Sequence, residues 1–146
     1  MTRLRSMRSI RSTNGAAAVE FALILGPFCV VLMGMIDYGW YFFVDLACTN
    51  AVRTGARNAT TVSGAVQACS GAASLQGTQA TKAALQNLMP QDPQYAASAN
   101  CVCAPGGGPP AVPQYQCTIG APFTGLTGFT AAALLPAQIQ TASTMR

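Results

Sequence analysis

Between positions 16 and 36 the chain carries 21 residues among which Glu20 is the only charged side chain. A helix rises 1.5 Å per residue, so such a run covers roughly 30 Å, the thickness of a bilayer's hydrocarbon core. The run therefore reads as one membrane-spanning helix. The rest of a 146-residue chain leaves room for a single small domain. Composition agrees: 51% of the residues are hydrophobic and only 8% charged, against about 25% charged in an ordinary soluble domain.

The formal charge of +4 belongs to one end of the chain. Arg3, Arg5, Arg8 and Arg11 carry it, because Arg53, Arg57, Lys82 and Arg146 balance Glu20, Asp37, Asp45 and Asp92. A basic face for nucleic acid is therefore missing from the body of the protein. Arginines ahead of the apolar run and mixed charges after it place the N-terminus in the cytoplasm and everything beyond about Trp40 outside it. An ordinary cleavable signal has a shorter apolar stretch, of about 7–15 residues, and a small-x-small cut site. Here the stretch runs on past Asp37 into Tyr38, Trp40, Tyr41, Phe42 and Phe43, an aromatic cluster suited to a membrane interface, which favours a retained anchor.

Residues 1 to 14 form a polar, basic leader without apolar period and are expected to be disordered. Pro27, next to Gly26, is expected to kink the membrane helix, which a bilayer tolerates. Leu46, Thr49, Val52, Ala56 and Ala59 recur at spacings of three and four, so the helix should continue outward to about Ala59, some 60 Å in all. A second helix is expected from about Thr78 to Met89, ended by Pro90 and Pro93, with Ala80, Ala83, Ala84, Leu85 and Leu88 as its buried stripe. Two strands, one from Tyr95 to Ala104 and one from Gln114 to Gly120, should flank a turn-rich Ala-Pro-Gly-Gly-Gly-Pro-Pro run. A last strand within Pro136 to Arg146 would put Ala137, Ile139, Thr141, Ser143 and Met145 on one face. A three-stranded antiparallel sheet laid on the long helix is the simplest packing of these elements.

The sequence contains no histidine, which removes Ser-His and Cys-His nucleophile pairs, imidazole-zinc sites and the commonest general base together. Glu20 and Asp37 are about 25 Å apart along one helix and cannot act as an acid/base pair. No enzyme is expected, and no cofactor or metal. Cys69, Cys101, Cys103 and Cys117 all fall in the part expected outside the cytoplasm, where thiols oxidise and small domains need crosslinks. A four-thiolate zinc site fits poorly, because C-x-C lacks the usual spacer. Cys101 and Cys103 share a strand face and are badly placed to bond each other. Cys117 is expected to bridge to one of them across the hairpin and Cys69 to the other. Cys29 reads as an inert membrane residue, whereas Cys48 is either free or available to crosslink two copies.

Glu20 asks for a partner, because a carboxylate near the start of a lipid-embedded helix costs a few kcal/mol when alone. One reading lets it reach the headgroups and the positive end of the helix. The sharper reading uses a cut after Gly15, which would create a cation, the amino group of Ala16, one turn away or on a packed neighbour.

With these residues in view, the chain resembles the TadE-like pseudopilins of the Tad (Flp) class of type IV pilus systems. The likeness rests on the basic leader ending in Gly15, and on Ala16-Ala17-Ala18-Val19-Glu20-Phe21-Ala22-Leu23, with glutamate fifth and an aromatic sixth after the cut. It rests further on Asp37-Tyr38-Gly39 and Asn50-Ala51-Val52-Arg53-Thr54-Gly55-Ala56-Arg57, and on the late C-x-C and the closing Thr144-Met145-Arg146. Gly26 departs from the pattern, which would place a larger apolar residue before Pro27. The first half of the chain carries most of the resemblance.

The resemblance implies an α+β, pilin-like fold: leader 1–15 removed by a prepilin peptidase between Gly15 and Ala16, transmembrane helix 16–40, helical extension 41–60, and a disulfide-bonded domain 61–146. It implies a minor pilin or pseudopilin supporting thin pili used in surface attachment, with Glu20 and Phe21 aligning subunits. The implied partners are the peptidase, other pilins and pseudopilins, the Tad inner-membrane machinery and the lipid bilayer, with no nucleic acid. The implied location is the bacterial inner membrane, the C-terminal domain in the periplasm, with possible entry into the extracellular pilus. The alternatives are an uncleaved, membrane-anchored periplasmic binding or adhesion module, and a secreted domain freed by removal of the apolar helix to about Ala47. Arg53 and Arg57, on one helix face, either form a solvated stripe or pack against their own domain or a neighbour.

Overall fold

The computed structural model describes residues 14–65, 69–105, 112–127 and 135–145. Residues 1–13 of the basic leader lie outside them, as do most of the turn-rich run after β1 and Arg146, while Asn14 and Gly15 already belong to the first helix. The elements are α1 (Asn14–Thr60), α2 (Gly71–Leu88), α3 (Pro93–Ala97), β1 (Asn100–Pro105), β2 (Pro113–Pro122) and β3 (Gln138–Met145). The α+β architecture expected from the sequence is the one observed: a long apolar helix, then a small domain with a three-stranded antiparallel sheet.

α1 runs unbroken for 47 residues across Pro27, where the missing proline N–H costs one ladder bond. It ends where hydroxyls take over its last carbonyls. Thr60 Oγ1 donates to the Arg57 carbonyl at 2.8 Å and Thr61 Oγ1 to that of Asn58 at 2.8 Å. Gly64, at φ 83°, then turns the chain, in a left-handed conformation that side chains disfavour.

α2 begins at Gly71, seven residues before the sequence placed it. Its early turns contain Gly71, Ser74, Gly77 and Thr78, poor helix formers that hide the element, and packing on α1 compensates for them. Its buried stripe is Ala73, Gly77, Thr81 and Leu85, not the larger set expected: Ala80 and Ala84 are half-buried, Ala83 and Leu88 exposed. Thr81 can be buried because its Oγ1 donates to the Gly77 carbonyl at 2.8 Å. On α1 the buried positions include Val44, Ala47, Cys48, Ala51, Val52, Ala56 and Ala59, while Leu46 points outward.

The two helices cross at glycines. A Cβ on Gly55 would lie 2.7 Å from the Gly77 carbonyl oxygen and inside the contact distance of Thr81 Oγ1, and one on Gly77 would lie 3.0 Å from the Gly55 carbonyl oxygen. Only residues without side chains let the backbones come this close.

Tyr95 was expected to open a strand but sits in α3, a single helical turn started by Pro93. Pro93 has its φ fixed near the helical value and no N–H to leave unpaired, so it suits a first helical position, and the turn swings the Tyr95 ring into the core. β1 then begins at Asn100.

The sheet order is β1-β2-β3, antiparallel throughout. Tyr115, Cys117, Ile119 and Ala121 of β2 and Ile139 of β3 face inward, and Gln116, Gln138 and Gln140 face solvent. One face of the sheet thus closes on the helices and the other is wet, as alternation in antiparallel strands allows. Tyr115 ties the far end together: its hydroxyl donates to the Ala65 carbonyl at 3.3 Å and accepts from the Ser70 N–H at 3.1 Å. Disulfides join Cys69 to Cys103 and Cys101 to Cys117. The second pair stands directly across the β1–β2 register.

Candidate assembly interface

The C-terminal part of α1 builds the domain core, and its N-terminal part buries no side chain against it. From residue 15 to 36 every position is exposed except the half-buried Gly34. Phe21 is 65% exposed, Leu23 72% and Ile24 67%. The helix is long and apolar enough to cross a membrane, with mean hydropathy 2.3 over its most apolar stretch and none of that stretch buried. A helix apolar on all sides needs lipid or other helices around it. The residues singled out for processing and assembly lie here: Gly15, Ala16, Glu20 and Phe21 all stand exposed on the first turns of α1. Ala16 and Glu20 are four residues apart and therefore neighbours on one face.

The first buried residue of α1 is Asp37, with none of its surface exposed. Its carboxylate accepts from the Thr127 N–H at 2.9 Å and from the Thr127 hydroxyl, so the stretch after β2 is fastened to the helix at Thr127. Two charge-assisted bonds explain how a carboxylate can be buried next to an apolar helix. The sequence marked Asp37 as a second charge on the helix and as part of the Asp37-Tyr38-Gly39 motif, but did not show that it is buried or what it binds. The available signal was its position, immediately after the last uncharged residue of the run and before the aromatics.

Those aromatics form a collar. Tyr38 meets Phe42 edge-on with centroids 4.9 Å apart, Trp40 stacks on Phe43 at 5.3 Å, and Tyr41 meets Phe123 of the stretch after β2 at 5.3 Å. Further out, the stretch Asn50 to Arg57 divides into two faces. Ala51, Val52, Gly55 and Ala56 are buried, whereas Asn50, Arg53, Thr54 and Arg57 are exposed and share a polar depression. Arg53 and Arg57 therefore form an open stripe and do not pack against their own domain. Cys48 is fully buried, which removes it as a crosslink between copies of the folded protein. Burial, and secondarily the charge of Asp45, push its thiol up to about 11.

Residues 15–57 match the model of the TadE-like protein family. No curated protein and no solved structure matches the chain. The matched segment lies wholly within α1 and includes both Ala16 to Leu23 and Asn50 to Arg57, so the resemblance seen in those residues is upheld. It suggests a protein associated with Tad pili. The match covers the exposed apolar half of the helix and the half that packs on α2, and stops short of the disulfide-bonded domain.

Proposed function

We propose that this chain is a non-enzymatic minor pilin or pseudopilin that supports assembly of Tad (Flp) type IV pili used in surface attachment. In this reading a prepilin peptidase cuts between Gly15 and Ala16, and α1 remains as an anchor in the bacterial inner membrane with the domain in the periplasm. Glu20 and Phe21 contact other pilins or pseudopilins, and the Tad inner-membrane machinery handles the processed chain. The observation that carries the reading is the division of α1. A segment of TadE-like sequence leaves its first 22 positions, one carboxylate among them, untouched by the chain's own domain, free for lipid and for neighbouring helices.

Removal of the apolar helix to about Ala47 is disfavoured by the packing, since it would strip Asp37, Val44 and Ala47 from the buried set. The N-terminal residue and intact mass of protein from native membranes, with and without the prepilin peptidase, test the proposal. A start at Ala16 that requires the peptidase supports it, and a start at Met1 in both strains returns the chain to an uncleaved anchored module. Glu20→Ala should abolish surface pili while leaving the domain folded. Normal piliation in that variant would remove the assembly role given to Glu20.

A further inference from the structure

We infer that the underside of the domain rests on the bilayer that α1 crosses, with Leu126 and Leu88 dipping into its outer interface. The inference deepens the reading of α1 as a membrane anchor and rests on it.

Height along α1 is the first argument. Residues 15–36 form a helical stretch of roughly 33 Å at 1.5 Å per residue, matching a hydrocarbon core of about 30 Å. Asp37 then falls at the outer boundary. Thr127 is held to Asp37 by two hydrogen bonds, so the neighbouring Leu126 is fixed at the same height, and it is 65% exposed. α2 runs antiparallel to α1, from the Gly77–Gly55 crossing down to Leu88, which is 51% exposed. Leu88, Pro90, Leu126, Trp40 and Phe43 line one shared depression at this end. Two separate chain segments thus present large apolar side chains at the level where the helix leaves the lipid.

Continuity and charge identify the occupant. The depression is contiguous with the aromatic collar, whose tryptophan and tyrosines suit the headgroup level. Asp92 is its only charged lining residue among those described, so attraction to anionic headgroups is not the driving force and zwitterionic lipid suffices. A patch of this size would bind a vesicle poorly by itself. Anchored by α1, the domain has already met the cost of reaching the surface, and a small apolar contact is enough to set its posture.

The test uses the full chain in phosphatidylcholine vesicles with or without brominated acyl chains. Trp40 is the only tryptophan, so a Trp40→Phe background lets a single new tryptophan report its depth. Leu126→Trp should lose about half its emission in brominated lipid, as expected for a side chain 5–10 Å into the interface. Leu25→Trp, mid-span, should lose most of its emission. Leu75→Trp, on the far half of α2 and 65% exposed, should lose almost none. A Leu126→Trp signal no more quenched than that of Leu75→Trp overturns the inference. If Leu25→Trp is quenched in that case, only the resting surface is lost, and if it is not, the anchor falls as well. Leu126→Trp emission shielded from iodide yet unquenched by brominated lipid also overturns it, because protein would then cover the patch.

Discussion

The two halves of α1 belong to one uninterrupted helix and are built on opposite principles. Residues 15–36 carry large apolar side chains on every face and bury none of them against the domain. From Asp37 to Thr60 the buried positions are mostly small, with Ala47, Cys48, Ala51, Gly55, Ala56 and Ala59 among them. Bulk faces outward where the chain's own domain supplies no cover. Smallness faces inward where a second helix must come close. Glycine makes the contrast testable, because each half contains one or more with opposite surroundings.

The largest expected effect comes from Gly55. Gly55→Leu cannot be placed without driving α2 away, since even the first added carbon meets Thr81 and the Gly77 carbonyl. Because backbone as well as side chain is in the way, it should cost more than about 5 kcal/mol, comparable with the whole stability of a small domain. Loss of the cooperative thermal transition in circular dichroism is the readout. At Gly26 an added Cβ meets nothing within 4 Å, and Gly26→Ala should leave that transition where it is. A fully folded Gly55→Leu protein would mean the close crossing is not what holds α2.

The disulfides come next and concern only the packed side of the comparison. They close loops of 16 and 34 residues, for which loop entropy gives about 3 and about 4 kcal/mol. Replacing Cys69 and Cys103 by alanine should therefore lower stability more than replacing Cys101 and Cys117, in chemical denaturation of the full chain. The opposite ranking would show that the direct bridge across the strand register contributes through native packing, not loop closure.

The long apolar helix, the three strands and the four paired cysteines were legible in the sequence, because each has a signal that local chemistry sets: run length, alternation, and compartment. The start of α2 was not. Its stripe of Ala73, Gly77 and Thr81 is selected for closeness to α1, and closeness favours the residues that local propensity scores worst. Tyr95 misled for a related reason: its β-forming character was outweighed by Pro93 two positions earlier. The division of Asn50 to Arg57 into a packing face and an open face needed α2 in place before it could be seen. Gly15, Ala16, Glu20 and Phe21 were read from the sequence as a pattern, and the fold adds only that all four stand exposed on α1.

Asp37 marks the joint between the halves, and its removal should have an intermediate effect. Asp37→Ala leaves the Thr127 N–H and hydroxyl without these acceptors, a loss of about 1–3 kcal/mol for part-buried hydrogen bonds to a carboxylate. The described stretch Phe123 to Thr127 should then open to proteases at lower enzyme concentration than in the parent, while α2 and the disulfides hold the rest. Unchanged cleavage of that segment would mean that the contact of Phe123 with Tyr41 suffices to hold it.

The smallest effect separates the two thiols of α1, one in each half. Cys29 is exposed and Cys48 buried, so in a Cys29→Ser protein a thiol reagent at pH 8 should label Cys48 only after denaturation. Rapid labelling of the folded variant would contradict the packed core at Val44 and Ala47. The same burial sets a pH dependence. In the unfolded chain the Cys48 thiol ionises near 9, whereas in the folded protein it stays protonated to about 11. Ionisation therefore favours the unfolded state. The stability tied to this thiol is fully present below pH 9 and falls as pH climbs from about 9 to about 11. Tyr95, also pushed up, first by burial and then by the charge of Asp92, adds to the decline at the upper end of that window. Cys48→Ala should flatten the early part of the curve and leave the later part, and a curve of unchanged shape would place the titrating group elsewhere.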